Sequence, residues 1–179
     1  MFADPENNIK QFGLKEGSIV ADLGAGSGFY TLAAAKAVGN PPAGGGKVYA
    51  IDIDSDLLKR IKDEAGNMNI KNVEIISGDL EKTGGTKLAD ESADAAIVSN
   101  ILFQVSNKDA LVKEARRILK TGGRALVIDW KDSFGGLGPQ KKAIVPMIAA
   151  RDLFEIHDFK FEREISAGEH HYGIIFKKS

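Results

Sequence analysis

Short, uniformly apolar runs alternate along this chain with longer stretches whose apolar residues return every three or four positions. The runs at 18–23, 48–53, 73–76, 93–100 ("ADAAIVSN") and 124–130 read as strands buried on both faces of a parallel sheet. Between them, 30–38, the stretch after Ser55 and 108–120 carry helical spacing. Leu57, Leu58, Ile61 and Ala65 form one inward stripe with Ser55 placed as its cap, and Leu111, Ala115, Ile118 and Leu119 form another. Gly39 and the "NPPAGGGK" loop end the first helix, because proline offers no N–H to continue it. After Trp130 the pattern changes to a glycine-rich linker, "KDSFGGLGP", and an apolar helix over about 142–154. Two further runs, "FKFEREI" and "HHYGIIFKK", are separated only by a turn at "SAGE", which predicts an antiparallel hairpin.

At 179 residues, with 43% hydrophobic and 27% charged positions, the chain is expected to form one domain over 1–179. Lys plus Arg (24) nearly balances Asp plus Glu (25), which disfavours nucleic acid as a partner. The first residues lack a basic segment followed by an apolar core, and no run of about eighteen apolar residues occurs, so a cytoplasmic protein without a membrane span is expected. The absence of cysteine excludes disulfides, thiolate metal ligands and a cysteine nucleophile. With three histidines, no metal site is expected.

The stretch "VADLGAGSGFYTLAAA" (20–35) places Gly24, Gly26 and Gly28 between a strand and a helix. Such glycines admit positive φ and close approach of a ligand, and the helix start directs its unpaired N–H groups toward it. Alone, the triplet reads equally as a tight turn. Asp52, closing the second apolar run, sits where an acid binds the ribose hydroxyls of an adenosine, whereas Asp54 fits a capping or solvated role. The spacing is G-x-G-x-G, and Phe29 occupies the position at which the dinucleotide fingerprint G-x-G-x-x-G needs its last glycine. This spacing argues against NAD or FAD, as does the lack of a Tyr-x-x-x-Lys pair, although a nicotinamide-dependent oxidoreductase is retained as an alternative.

The ordered segments "VADLGAGSGFYTLAAAKAVG", "VYAIDID", "VEIISGDLEK", "ADAAIVSNILF" and "RRILKTGGRALVIDW" resemble the motifs of class I S-adenosylmethionine-dependent methyltransferases. Within that superfamily the chain is most similar to the small enzymes like the ubiquinone and menaquinone biosynthesis methyltransferases, over about residues 5–178. The resemblance implies a Rossmann-like, doubly wound α/β sheet of seven strands with order 3-2-1-4-5-7-6. All strands but the last would be parallel, with helices on both faces. It implies S-adenosyl-L-methionine as cofactor, leaving as S-adenosylhomocysteine. Gly24, Ala25, Gly26, Gly28 and Phe29 would lie along the methionine part, with Asp22 bracing the loop or meeting the ammonium through water. Asp52 and Ile53 would hold the ribose, Gly78, Asp79 and Leu80 the adenine, and the peptide carbonyls of Ser99 and Asn100 part of the ammonium. "LKTGG" would be a helix stop without a ligand.

Methyl transfer requires nucleophile and methyl group to be held collinear, and a dry pocket favours a step in which charge leaves sulfur. Phe29, Tyr30 and Phe103 would flank the crevice. If the last strand is antiparallel, His170 and His171 start it beside Asn100, Asp129 and Trp130. One of the two histidines would then serve as base, since alternation sends them to opposite faces. Asn100 is followed by "ILF", not by the Pro-Pro-aromatic sequence of enzymes that methylate exocyclic amino groups, and the lack of cysteine counts against arsenite-type thiol chemistry. Only about seventeen residues precede the first strand, so residues 131–151 are expected to roof the substrate. Gly135, Gly136 and Gly138 would let this segment move as a lid, and Phe134, Leu137, Ile144 and Met147 would line it. A small-molecule acceptor leads. RNA or protein as acceptor, or a cofactor-binding subunit, is the alternative, with monomer and homodimer both open.

Overall fold

The computed structural model describes residues 3–40, 44–134, 136 and 138–179. Part of the "NPPAGGGK" loop, Gly135 and Leu137 lie outside the described residues. Seven strands form one sheet: β1 (Ile19–Leu23), β2 (Lys47–Asp52), β3 (Val73–Ser77), β4 (Ala93–Ser99), β5 (Leu119–Trp130), β6 (Phe159–Ile165) and β7 (His171–Lys178). Their order is β3-β2-β1-β4-β5-β7-β6; the first five are parallel, and β7 is antiparallel to both β5 and β6. The expected topology is therefore present, including the hairpin.

Both sheet faces are covered because the strands are apolar on both. Leu23, Val98, Val127, Ile174 and Phe176 pack against Leu111, Ala115 and Ile118 of α4 (Lys108–Ile118) and Ala150 and Phe154 of α5 (Met147–Glu155). On the opposite face Val20, Val48, Ile97, Leu126 and Ile175 meet α1 (Pro5–Phe12) and α2 (Phe29–Val38), and Leu58 and Ile61 of α3 (Ser55–Asn67) cover Ala50. No helix among the described residues is long and apolar enough to cross a membrane.

Several boundaries differ from the sequence expectation. Asp54, not Ser55, caps α3, accepting from the N–H groups of Asp56 and Leu57, because the Asp54 N–H is itself held by Asp52 Oδ1 and the turn closes one residue earlier. The "LKTGG" stop does end α4, but β5 already begins there: Leu119 pairs with Ala93 across a bulge, and its carbonyl accepts from Lys178 Nζ. The apolar stretch 142–154 is not one helix. A single 3₁₀ turn, Lys141–Ala143, is separated from α5 by Pro146, which cannot donate in a helix interior. Finally, α1 was not expected. Asp4 caps it, Pro5 opens it and Gly13 closes it, while Ile9 and Phe12 are buried and Asn8 donates to the Tyr30 hydroxyl at 2.8 Å.

Candidate active site

The crevice lies at the carboxyl ends of β1, β2, β4 and β5, where the winding direction reverses between β1 and β4. Two cavities meet there at Gly24. One, of 100 Å³, is lined by Asp52, Ile53, Gly78, Asp79, Leu80, Glu81, Ile101 and Val105. The other, of 310 Å³, is walled chiefly by Ala25, Gly26, Ser27, Phe29, Tyr30, Ser99, Asn100, Gln104, Trp130 and His171.

The loop joining β1 to α2 is built from Gly24 and Gly26 at φ 78° and 53°, followed by Gly28, which precedes the first turn of α2. A Cβ on Gly24 would strike the Ile101 side chain, and one on Gly28 would strike Ile61 at 2.6 Å. Gly28 therefore serves helix packing and lines neither cavity. At Gly26 a Cβ would meet only the Gly24 carbonyl oxygen, at an ordinary 3.9 Å. Its N–H donates to Asp52 Oδ2 at 2.8 Å, so the acid at the end of β2 fixes the glycine loop and still offers lone pairs to the cavity.

Beneath this loop Asp22 is buried, accepting from Thr31 Oγ1 at 2.6 Å through Oδ2, while Oδ1 has no partner. Burial, with Asp52 adding, pushes its carboxyl up to about 7 against the Thr31 bond. Asn100 follows β4 at φ 53°, a conformation that asparagine tolerates better than most residues; its N–H is taken by Ile128, its carbonyl accepts from Gln104, and its Oδ1 is buried without a partner. Asp129, buried at the end of β5, accepts from the N–H groups of Leu102 and Trp130 and so shapes the turn after Asn100; burial raises its carboxyl to about 6. In the smaller cavity Asp79 pairs with Lys82 and accepts from the Glu81 N–H, which together hold its carboxyl below the ordinary range.

The two histidines separate as alternation requires. His171 pairs in register with Trp130, lies 4.2 Å from its ring and faces the larger cavity. His170 lines neither cavity; its Nδ1 is 2.7 Å from Asp132, and its ring stacks on Phe134 at 4.4 Å. The 131–151 roof is a correction: among the described residues none of that segment lines the larger cavity, and Phe134 turns to His170 instead. Ala3 and Pro5, just before and at the start of α1, line the cavity, because Asn8, Ile9 and Phe12 anchor that helix on α2. Phe103 lines neither cavity. Sequence reasoning missed Ile101, Gln104 and Val105, brought in by the turn after β4, and the Asp4-Pro5 cap signal that would have disclosed α1.

A further cavity of 280 Å³, lined by Lys15, Asp94, Lys120 and Arg124, opens at the opposite edge of the sheet, away from the strand ends where such folds bind ligands.

The methyltransferase-domain family profile matches residues 14–165. The ubiquinone/menaquinone biosynthesis C-methyltransferase UbiE of Escherichia coli O1:K1 / APEC is 30% identical over 146 residues, covering 81% of this chain. The chain spans about half the length (52%) of that curated relative. Among solved structures, a SAM-dependent methyltransferase from Aquifex aeolicus superposes with a TM-score of 0.87 at 28% identity, covering 99% of this chain and 91% of its own. The [4+2]-cyclase SpnF shares the fold alone, with TM-score 0.79 and 15% identity, covering 97% of this chain and 79% of its own. The profile match over most of the chain and the seven-stranded sheet agree: this chain belongs to the methyltransferase-domain family, as a class I S-adenosylmethionine-dependent methyltransferase similar to the UbiE enzymes.

Proposed function

We propose that the chain is one methyltransferase domain across 1–179 that binds S-adenosyl-L-methionine in the crevice and methylates a small-molecule acceptor in the larger cavity. The carrying observation is the pair of buried, unpartnered oxygens, Asn100 Oδ1 on a residue that lines the larger cavity and Asp22 Oδ1 beneath the glycine loop, where a Cβ on Gly26 would meet nothing nearer than the Gly24 carbonyl at 3.9 Å. Buried polar atoms left without partners cost about 1–3 kcal/mol each, so a site that holds two is suited to a ligand bearing donors such as an ammonium group. When bound, S-adenosylmethionine supplies a methyl group on a positively charged sulfur.

The chain's own residues then divide the work. Asp22 and Asn100 would hold the ammonium end, Asp52 the ribose hydroxyls, and Asp79 the adenine amino group against Leu80 and Ile53. The aromatic rings of Phe29, Tyr30 and Trp130 would exclude water and line up the acceptor for in-line attack. No lysine or arginine lines the larger cavity among the described residues, which favours an uncharged or weakly charged metabolite over an RNA backbone.

Calorimetric titration with S-adenosylhomocysteine and, separately, NADH tests the reading. Saturable binding of S-adenosylhomocysteine that weakens at least tenfold in Asp52→Ala is expected. Saturation by NADH alone would overturn it.

A further inference from the structure

His171 is the one histidine in the larger cavity, and a histidine beside a methyl acceptor invites the role of base. Its surroundings speak otherwise. Nδ1 is sealed from solvent and has no hydrogen-bond partner, so Nε2 is the nitrogen on the cavity side. A proton on Nδ1 would be a buried donor without an acceptor, whereas a lone pair left there forfeits less. The single proton of the neutral ring therefore belongs on Nε2. Taking up a second proton would create that stranded Nδ1–H and a buried cation together. The ring is packed at 4.2 Å against Trp130, and among the described residues His170, Asp132 and Lys131 act on its charge. Burial, then His170 and Lys131, pull its titration below the ordinary value against Asp132. The Asp132 carboxylate that would support an imidazolium is committed to His170.

We propose that His171 is a neutral hydrogen-bond donor to the methyl acceptor through Nε2–H, and not the base that deprotonates it. This rests on the methyl-transfer reading above and narrows its acceptor. The cavity suits a nucleophile that bears a hydrogen-bond-accepting oxygen and enters the transfer already deprotonated. In balance, the acceptor's electron pair forms the new bond to the methyl carbon, the carbon–sulfur pair leaves with sulfur, and no proton passes to His171.

Long-range ¹H–¹⁵N NMR of the labelled protein, with and without S-adenosylhomocysteine, reads the ring directly; His171→Gln assigns its signals. The expected result is the Nε2–H tautomer, with protonation only below the ordinary histidine range because burial opposes the cation. An Nδ1–H tautomer at neutral pH, or protonation with a midpoint at or above about 6.5, would overturn the proposal. Calorimetry with S-adenosylhomocysteine on the same sample tests the cofactor reading separately, since the histidine can be read whether or not it binds. With an acceptor that the wild type methylates, His171→Gln, whose amide N–H replaces the donor, keeps kcat/KM within about fivefold, while His171→Phe loses about 100-fold. Equal loss in both variants is the signature of a base and counts against the donor.

Discussion

Gly26 and Gly28 stand two positions apart in one loop, yet a methyl group added at each meets different surroundings. Both have positive φ, so alanine costs about 1–2 kcal/mol at either position. At Gly28 it also collides with Ile61, whereas at Gly26 it makes only an ordinary contact with the Gly24 carbonyl. Gly28→Ala is therefore expected to show the larger drop in melting temperature, and Gly26→Ala to keep most of its stability while losing at least about tenfold in S-adenosylhomocysteine affinity. Thermal denaturation and calorimetry on the same preparations check the contrast; the reverse order of effects would contradict the loop assignment. The sequence shows three glycines and cannot rank them, because the neighbours that distinguish them, Ile101 and Ile61, come from other elements.

Asp22 titrates against the habit of surface carboxylates. Between its ordinary value of 3.8 and about 7 the folded protein keeps a proton that the unfolded chain has released. The stability of the ligand-free protein thus falls as pH rises through that window. The proposed ammonium contact favours the ionised form, so S-adenosylhomocysteine affinity should rise with pH, by up to about tenfold per unit below 7, and then level off. Titrations across the window, with Asp22→Asn expected to be flat, check this.

At the scale of elements, the smaller cavity takes Gly78, Asp79, Leu80 and Glu81 from the irregular segment 78–92, and one carboxylate on α4 holds that segment. Glu114 accepts from the N–H groups of Gly84 and Thr86, from Thr86 Oγ1 and from Arg117, which itself pairs with Asp90. Burial pushes Glu114 up, but Arg117, Thr86 and Gly84 outweigh it and hold it at about 2. Its charge contributes stability fully above 4.5, and that contribution is lost as pH falls through about 2. Glu114→Ala leaves the Gly84 and Thr86 amides without their acceptor, while Arg117 keeps Asp90 and the Leu88 carbonyl, and should cost about 1–3 kcal/mol, with faster proteolysis within 78–92. A variant that melts with the wild type would refute the strut.

The helices differ in how far their sequences disclose them. In α3 and α4 two or more turns of apolar stripe exist, so periodicity alone locates them. The eight residues of α1 hold only Ile9 and Phe12 as a stripe, too short for a period, and its cap residues carry the signal instead. In 142–154 the apolar composition hides a break that Pro146 imposes.

For the whole molecule, a ligand that binds only the folded state stabilises it by mass action. Hundredfold saturation with S-adenosylhomocysteine is worth about 2.7 kcal/mol, or a rise of roughly 5–10 °C in melting temperature for a chain of this size, with no rise for NADH. A thermal-shift series measures both, and an equal rise with NADH would remove the distinction drawn from Phe29. Resemblance to a known family implied the strand order that the sheet has. The sequence by itself determined the alternation of strands and helices and the placing of the glycine loop and its acids at strand ends. Each of those rests on a contiguous strand–glycine–helix or strand–acid segment whose chemistry is local. Only the tertiary structure decided that the start of α1 lines the larger cavity, that Gly28 packs against a helix, and that His171 seals one nitrogen while His170 turns to Asp132. Burial and the supply of partners depend on residues far apart in the chain, and no local pattern records which of them will meet.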